Sequence, residues 1–123
     1  MRIVRIELDW NWGKSVNLNL TDGKGGVEVQ YENGGNTGYI CNLYLDPAER
    51  GRMVGFNLMK EAEADIARSG KCWANLEVEA DKERLINWYE RQGYRRIKYT
   101  GTSTVGEEEK KYVRMFKQIN PDR

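Results

Sequence analysis

Histidine is absent from the sequence, and with it go the commonest general base and the commonest metal ligand. Any proton transfer falls to carboxylates, tyrosine, cysteine or lysine. Only two cysteines occur, Cys41 and Cys72. Both lie in apolar segments without metal-ligand spacing, which reads as buried reduced thiols rather than a disulfide or a site. No charge of one sign prevails: 20 Lys+Arg stand against 19 Asp+Glu, a formal net charge of +1. That leaves no global basic field to favour nucleic acid or an anionic membrane surface. No apolar run approaches the roughly 20 residues that span a bilayer, and no charged-then-apolar leader opens the chain. The expectation is a soluble, cytoplasmic protein without a metal. Its 123 residues suit one domain over 1–123, able to bury roughly two-thirds of the surface of the unfolded chain.

What is present is periodic. Val4, Ile6 and Leu8 alternate with Arg5 and Glu7, and Val16, Leu18 and Leu20 alternate with Asn17 and Asn19, the period-two pattern of half-buried strands. Val27, Val29 and Tyr31 give a third strand, and the short connections WNWGK, TDGKGG and NGGN predict an antiparallel meander. YICNLYL is apolar nearly throughout, which suits a strand covered on both faces.

From about Arg52 the period becomes helical. Gly55, Leu58, Met59, Ala62, Ile66 and Ser69 share one side, with Lys60, Glu61, Glu63, Asp65 and Arg68 on the other and Gly70 as the stop. Cys72, Ala74, Leu76 and Val78 then alternate as a strand. Asp81 is placed to cap a shorter helix through about Gln92, with Leu85, Trp88 and Tyr89 inward and Gly93 as its end. Two strands, about 94–100 and 112–119, are expected to close the chain around the polar loop GTSTVGEEEK, in which Glu107 to Lys111 read as a solvated run. The order predicts an α+β fold of about seven strands and two main helices. Its centre is a parallel strand-helix-strand unit with a right-handed crossover, in an otherwise antiparallel sheet.

The loop DPAERGR joins the apolar strand to the first helix. A helix N-terminus offers unpaired N–H groups and a favourable dipole to an anion, Gly51 and Gly55 permit close approach, and Arg50 and Arg52 add charge. On these residues alone, a turn with solvated arginines is an equal reading.

The wider pattern is more specific. Arg50-Gly51-Arg52-Met53-Val54-Gly55 resembles the Gln/Arg-x-x-Gly-x-Gly/Ala signature of the GCN5-related N-acetyltransferases, the GNAT superfamily. Leu76-Glu77-Val78 and the later Asn87-Trp88-Tyr89-Glu90-Arg91-Gln92-Gly93-Tyr94 are similar to that family's LEV and LYEKxGF segments, and YVRMFKQI to its last strand. The resemblance covers residues 38 to 119 well and the first three strands in outline.

This resemblance implies an acyl-CoA cleft opened by two splaying parallel strands. The pantetheine arm would lie along the backbone of Leu43, Tyr44 and Leu45, and the pyrophosphate on the N–H groups of Arg50, Gly51, Arg52, Met53, Val54 and Gly55. Tyr89 would contact the CoA sulfur and protonate it. Glu77 would serve as base, directly or with water relaying the proton to Glu77 or Glu79. Met53 departs from the family's usual Gly, and Lys82 stands where a CoA-contacting Asn is common and would meet a phosphate as a point charge. Without the resemblance, Tyr89 reads as a core aromatic and Glu77 as a solvated strand carboxylate.

The family usually inserts two helices between its first two long strands, where this chain has only WNWGK. The acceptor wall is therefore expected to be missing, leaving an open site, one completed by a dimer partner, or none. Trp10 and Trp12 would bind an acceptor, or pack against the sheet or a second subunit. The function implied is transfer of an acetyl group from acetyl-CoA to the amine of an unidentified acceptor, with no nucleic-acid or membrane partner and with a homodimer as an open alternative. The competing reading is a non-catalytic CoA-binding or interaction module on the same scaffold.

Overall fold

Alternating valines and leucines build the centre of the sheet. In the computed structural model, which describes residues 2–51, 53–105 and 108–121, with backbone alone over 98–105 and 108–110, β1 (Ile3–Trp10), β2 (Gly13–Leu20), β3 (Gly25–Glu32) and β4 (Thr37–Leu45) form an antiparallel meander. Val16 stands opposite Val29 and Leu18 opposite Val27, all four out of water. Each such burial contributes roughly 1.5–3 kcal/mol. A single 3-10 turn (Pro47–Glu49), helix α1 (Val54–Arg68), β5 (Trp73–Glu79), helix α2 (Glu83–Arg91), β6 (Arg95–Val105) and β7 (Glu108–Gln118) follow. The sheet order is β1-β2-β3-β4-β5-β7-β6, with β4 and β5 parallel and every other pairing antiparallel. This is the mixed seven-strand, two-helix α+β architecture expected.

Helix α1 lies on one face of the sheet, with Leu58, Met59, Ala62 and Ile66 fully buried. Gly38 lets it approach β4, because a Cβ there would run into Ile66 Cγ1. The helix ends as anticipated: Gly70 takes φ 74, while the N–H groups of Gly70 and Lys71 reach back to Ala67 O and Ile66 O.

The expected solvent side of α1 needs correction. Glu63 and Asp65 are buried, 8% and 2% exposed. Asp65 Oδ1 accepts from Arg5 Nε at 2.6 Å and its Oδ2 from Tyr31 Oη at 2.6 Å. Glu63 accepts from Tyr94 Oη and Lys117 Nζ, both at 3.0 Å. The sheet reaches past both flanks of the helix, so carboxylates beside the apolar stripe meet strand side chains instead of water.

Strand β1 is also the reverse of its simplest reading. Its charged side faces α1, through Arg5 to Asp65, and Val4, Ile6 and Leu8 are 44%, 47% and 45% exposed on the opposite, uncovered face. Trp10 pairs with Gly13 across a two-residue turn, so no helix covers that face between β1 and β2.

Four further expectations change. Leu85 is 41% exposed, and Ile86 takes its place beside Tyr89 on the buried side of α2, whose N-cap is Lys82 rather than Asp81. Helix α1 begins at Val54, two residues beyond Arg52, which lies outside the described residues. The polar stretch read as a loop instead prolongs the β6–β7 hairpin, where Thr100 pairs with Val113 and Val105 with Glu108. Backbone pairing needs no apolar side chain, so polarity did not mark the hairpin's end. The strand thus takes Glu108 to Lys111, while Gly106 and Glu107 lie outside the described residues.

Candidate functional site

The site begins where a parallel pair comes apart. β4 and β5 pair through Thr37↔Trp73, Gly38↔Ala74 and Tyr39↔Asn75 only. Beyond that point β4 turns away. Asn42 sits at φ 53, a left-handed conformation Asn tolerates better than most residues, and the β3–β4 register shifts beside it between Gly26 and Glu28. Asn42 Nδ2 donates to Glu28 Oε1 at 2.8 Å, which anchors the bend. β4 was expected to be covered on both faces; instead Asn42 and Tyr44 are exposed.

The resulting cleft of about 800 Å³ is lined by Tyr39 and Asn42 from β4, Asn75 and Glu77 from β5, Arg114 from β7 and Trp12 from the β1–β2 turn, among others. Leu43, Tyr44 and Leu45 continue β4 past its last pair with β5, so their backbone groups on that side have no strand partner.

From Leu45 the chain enters the loop. Asp46 Oδ1 accepts the Ala48 N–H at 3.0 Å and caps the 3-10 turn. Arg50 is extended and exposed, Gly51 takes φ 82 and Met53 takes φ 61. The first α1 bond described runs from Asn57 N to Met53 O at 3.0 Å, so the N–H groups of the turn before it point out of the helix end. Gly55 is buried, and a Cβ on it would lie 3.0 Å from Leu45 Cδ1 and 3.5 Å from the Trp88 ring. Met53 turns its side chain to solvent, 63% exposed. Lys82 is also exposed, at the α2 N-cap, where its carbonyl accepts the Ile86 N–H.

The two residues singled out for proton transfer sit in different surroundings. Glu77 projects from the face opposite the buried Leu76 and Val78 and lies in the cleft. Its Oε1 accepts from Arg114 Nη2 at 2.7 Å, across the β5–β7 pairing. Tyr89 is 7% exposed and belongs to a ring cluster, with centroids 5.1 Å from Trp88 and 5.9 Å from Tyr94. Burial pushes its phenol up to about 12, so it stays protonated and able to donate at neutral pH. Tyr89 is not among the residues lining the cleft that holds Glu77; its ring neighbour Trp88 is the one that lies against Gly55 at the start of α1. Glu79 is half-buried on the same strand.

Arg114, Asn42 and Tyr39 escaped sequence reasoning. Arg114 falls in an alternating strand, and only the register shows that Glu77 is opposite. Cys41 is half-buried in the cleft, and burial, then Glu28, pushes its thiol up to about 11. It is a poor nucleophile there. Among the described residues no group of His, Cys, Asp or Glu could hold a metal ion, and no helix is long and apolar enough to cross a membrane.

Comparison with known proteins bears on this arrangement. The family model described as "Acetyltransferase (GNAT) family" matches residues 18–94. Among solved structures, the chain is similar to nourseothricin acetyltransferase (22% identity, 89% of this chain and 67% of that one, TM-score 0.71). It is also similar to the ribosomal-protein-S18-alanine N-acetyltransferase of Escherichia coli (15% identity, 94% and 74%, TM-score 0.73). A Bacillus subtilis acetyltransferase in complex with CoA shares the fold as well (14% identity, 87% and 77%, TM-score 0.67). A search of curated proteins finds no match.

Proposed function

The chain belongs to the acetyltransferase (GNAT) family, and from that premise we propose that it transfers an acetyl group from acetyl-CoA to an amine. The observation that carries the reading is the early end of the β4–β5 pairing after Tyr39↔Asn75, on a strand that runs directly into the loop at the α1 N-terminus. The unpaired β4 edge at Leu43, Tyr44 and Leu45 offers amide partners to an extended pantetheine chain. In this reading the N–H groups from Arg50 to Gly55 hold the phosphates, with charge added by the exposed Arg50 and Lys82 and by Arg52, which lies outside the described residues.

In the proposed reaction the neutral amine attacks the thioester carbonyl carbon. The C–N bond forms, the C–S bond breaks, and a β4 backbone N–H near Leu43 stabilises the oxyanion. The amine's proton goes to Glu77, directly or through water, and Tyr89 protonates the departing thiolate. The position of Tyr89 outside the Glu77 cleft favours, as a second reading, a module that binds CoA without transfer.

Calorimetric titration with acetyl-CoA tests both. Native protein should bind saturably, and Arg50→Glu combined with Met53→Glu should weaken binding more than tenfold at unchanged melting temperature, because both side chains are exposed. Absence of binding by native protein overturns the proposal. Binding without CoA release across an amine panel selects the second reading.

A further inference from the structure

We propose that two copies of this chain pair edge to edge through β1, antiparallel, about a twofold axis passing at Ile6. β1 is an outer strand of the sheet. It runs eight residues without a register shift against β2, and it contains neither proline nor lysine. Edge strands are normally kept from pairing by shortness, bulges, proline or lysine. β1 has none of these; the guard it does carry is charge, in Arg5, Glu7 and Asp9, and an antiparallel second copy can oppose Arg5 to Glu7. It also exposes an unbroken apolar row, Val4, Ile6, Leu8 and Trp10, each between 44% and 50% exposed.

The occupant follows from the strand's own symmetry. In an antiparallel pair, directly opposed residues share a face. A twofold at Ile6 sets Ile6 against Ile6, Val4 against Leu8 of the second copy, and Arg5 against Glu7 of the second copy, twice over. Arg2 then falls opposite Trp10, where a guanidinium can lie on the indole face. Moving the axis to Arg5 or to Glu7 opposes like charges, and a one-residue slip opposes apolar to charged side chains. The axis at Ile6 opposes no like charges and matches the whole apolar row, at the cost of setting Ile3 against Asp9; the axis at Glu7 pairs Arg5 with Asp9 but faces Glu7 with itself.

The backbone is in phase with it. The two-residue turn after Trp10 makes Trp10 and Gly13 a hydrogen-bonded pair, and Thr21 N donates to Arg2 O at 3.2 Å. Even-numbered residues therefore bond β2, while the N–H and C=O groups of Ile3, Arg5, Glu7 and Asp9 point outward. These are the positions that exchange bonds in the Ile6 register. Charges already run along this face, with Arg5 Nη2 at 3.0 Å and Lys14 Nζ at 3.1 Å from Glu7 Oε1, so the second copy extends a chain of alternating charge. Both clefts end on the same side of one continuous sheet.

Engineered cysteines read the register. Opposed residues without mutual hydrogen bonds lie about 4.5 Å apart between Cα atoms, within the span of roughly 4.4–6.8 Å that a disulfide bridges. In a Cys41→Ser background, Ile6→Cys should cross-link to a dimer under mild oxidation. Leu8→Cys should not, because its own copy lies four positions away, about 13 Å; an equal mixture with Val4→Cys should restore the cross-link. Sedimentation of the native full chain should show a concentration-dependent dimer that Glu7→Arg weakens at least tenfold with the native circular dichroism retained. A native monomer at every concentration with no Ile6→Cys cross-link overturns the proposal and leaves the edge to an extended peptide of another protein. Cross-linking as fast at Leu8→Cys alone overturns the register.

Discussion

Arg114 Nη2 and Glu77 Oε1 meet at 2.7 Å across β7 and β5 inside the cleft. Both side chains are about half exposed, 45% and 50%, so the pair contributes only about 0.2–1 kcal/mol to stability. Its consequence is geometric: one carboxylate oxygen is held while the other is left to the cleft. Glu77→Gln should lower kcat by about 10²-fold and leave the acetyl-CoA Kd unchanged. Arg114→Met should lower kcat less, and Arg114→Lys should recover part of that loss. Steady-state kinetics beside calorimetry separates the outcomes; a parallel fall in acetyl-CoA affinity would count against a base at Glu77.

Tyr89→Phe removes one oxygen and keeps the ring that packs on Trp88 and Tyr94. If Tyr89 donates to the thiolate, kcat should fall by roughly 10–10² with a melting temperature within a few degrees of native. Loss of binding together with turnover would reassign Tyr89 to packing.

Three phenols hold their protons more tightly in the folded protein than in the unfolded chain. Burial raises Tyr89 to about 12; burial with Asp65 raises Tyr31, and burial with Glu63 raises Tyr94. A raised folded value stabilises fully below the unfolded value of about 10 and is lost as pH rises through the folded value. Denaturant unfolding should therefore show little change from these groups below about pH 9. Above pH 10 it should fall by about 1.4 kcal/mol per pH unit for each phenol still protonated. Tyr94→Phe should reduce that slope by one group.

Met53 is a left-handed residue at the mouth of the loop, φ 61 and ψ 14. Such a conformation costs a side-chain-bearing residue about 1–2 kcal/mol, partly offset by the entropy a glycine would add to the unfolded chain. Met53→Gly should raise stability by about 0.5–1 kcal/mol. Equilibrium denaturation measures this, and a loss of stability would mean that the exposed thioether makes contacts that outweigh the strain.

Sequence and tertiary structure divided the work along a physical line. Period two in 16–20 and 27–31, period 3.6 from Gly55 to Ile66, and glycines after the helices at Gly70 and Gly93 were legible, because hydrophobic burial and left-handed glycine act on local spacing. That a loop joins β4 to the first helix was legible from Asp46-Pro47 and the change of period after it. Local spacing could not tell which carboxylates the sheet would cover, so Glu63 and Asp65 were misplaced. It could not choose between Leu85 and Ile86 on a nine-residue helix, since adjacent apolar residues differ by only about 100° around the axis. Tertiary structure alone decided the bend at Asn42, the pairing of Glu77 with Arg114, the place of Tyr89 outside the lining of their cleft and the bare face of β1. Each depends on strand register, and register is set by pairing between segments far apart in the chain.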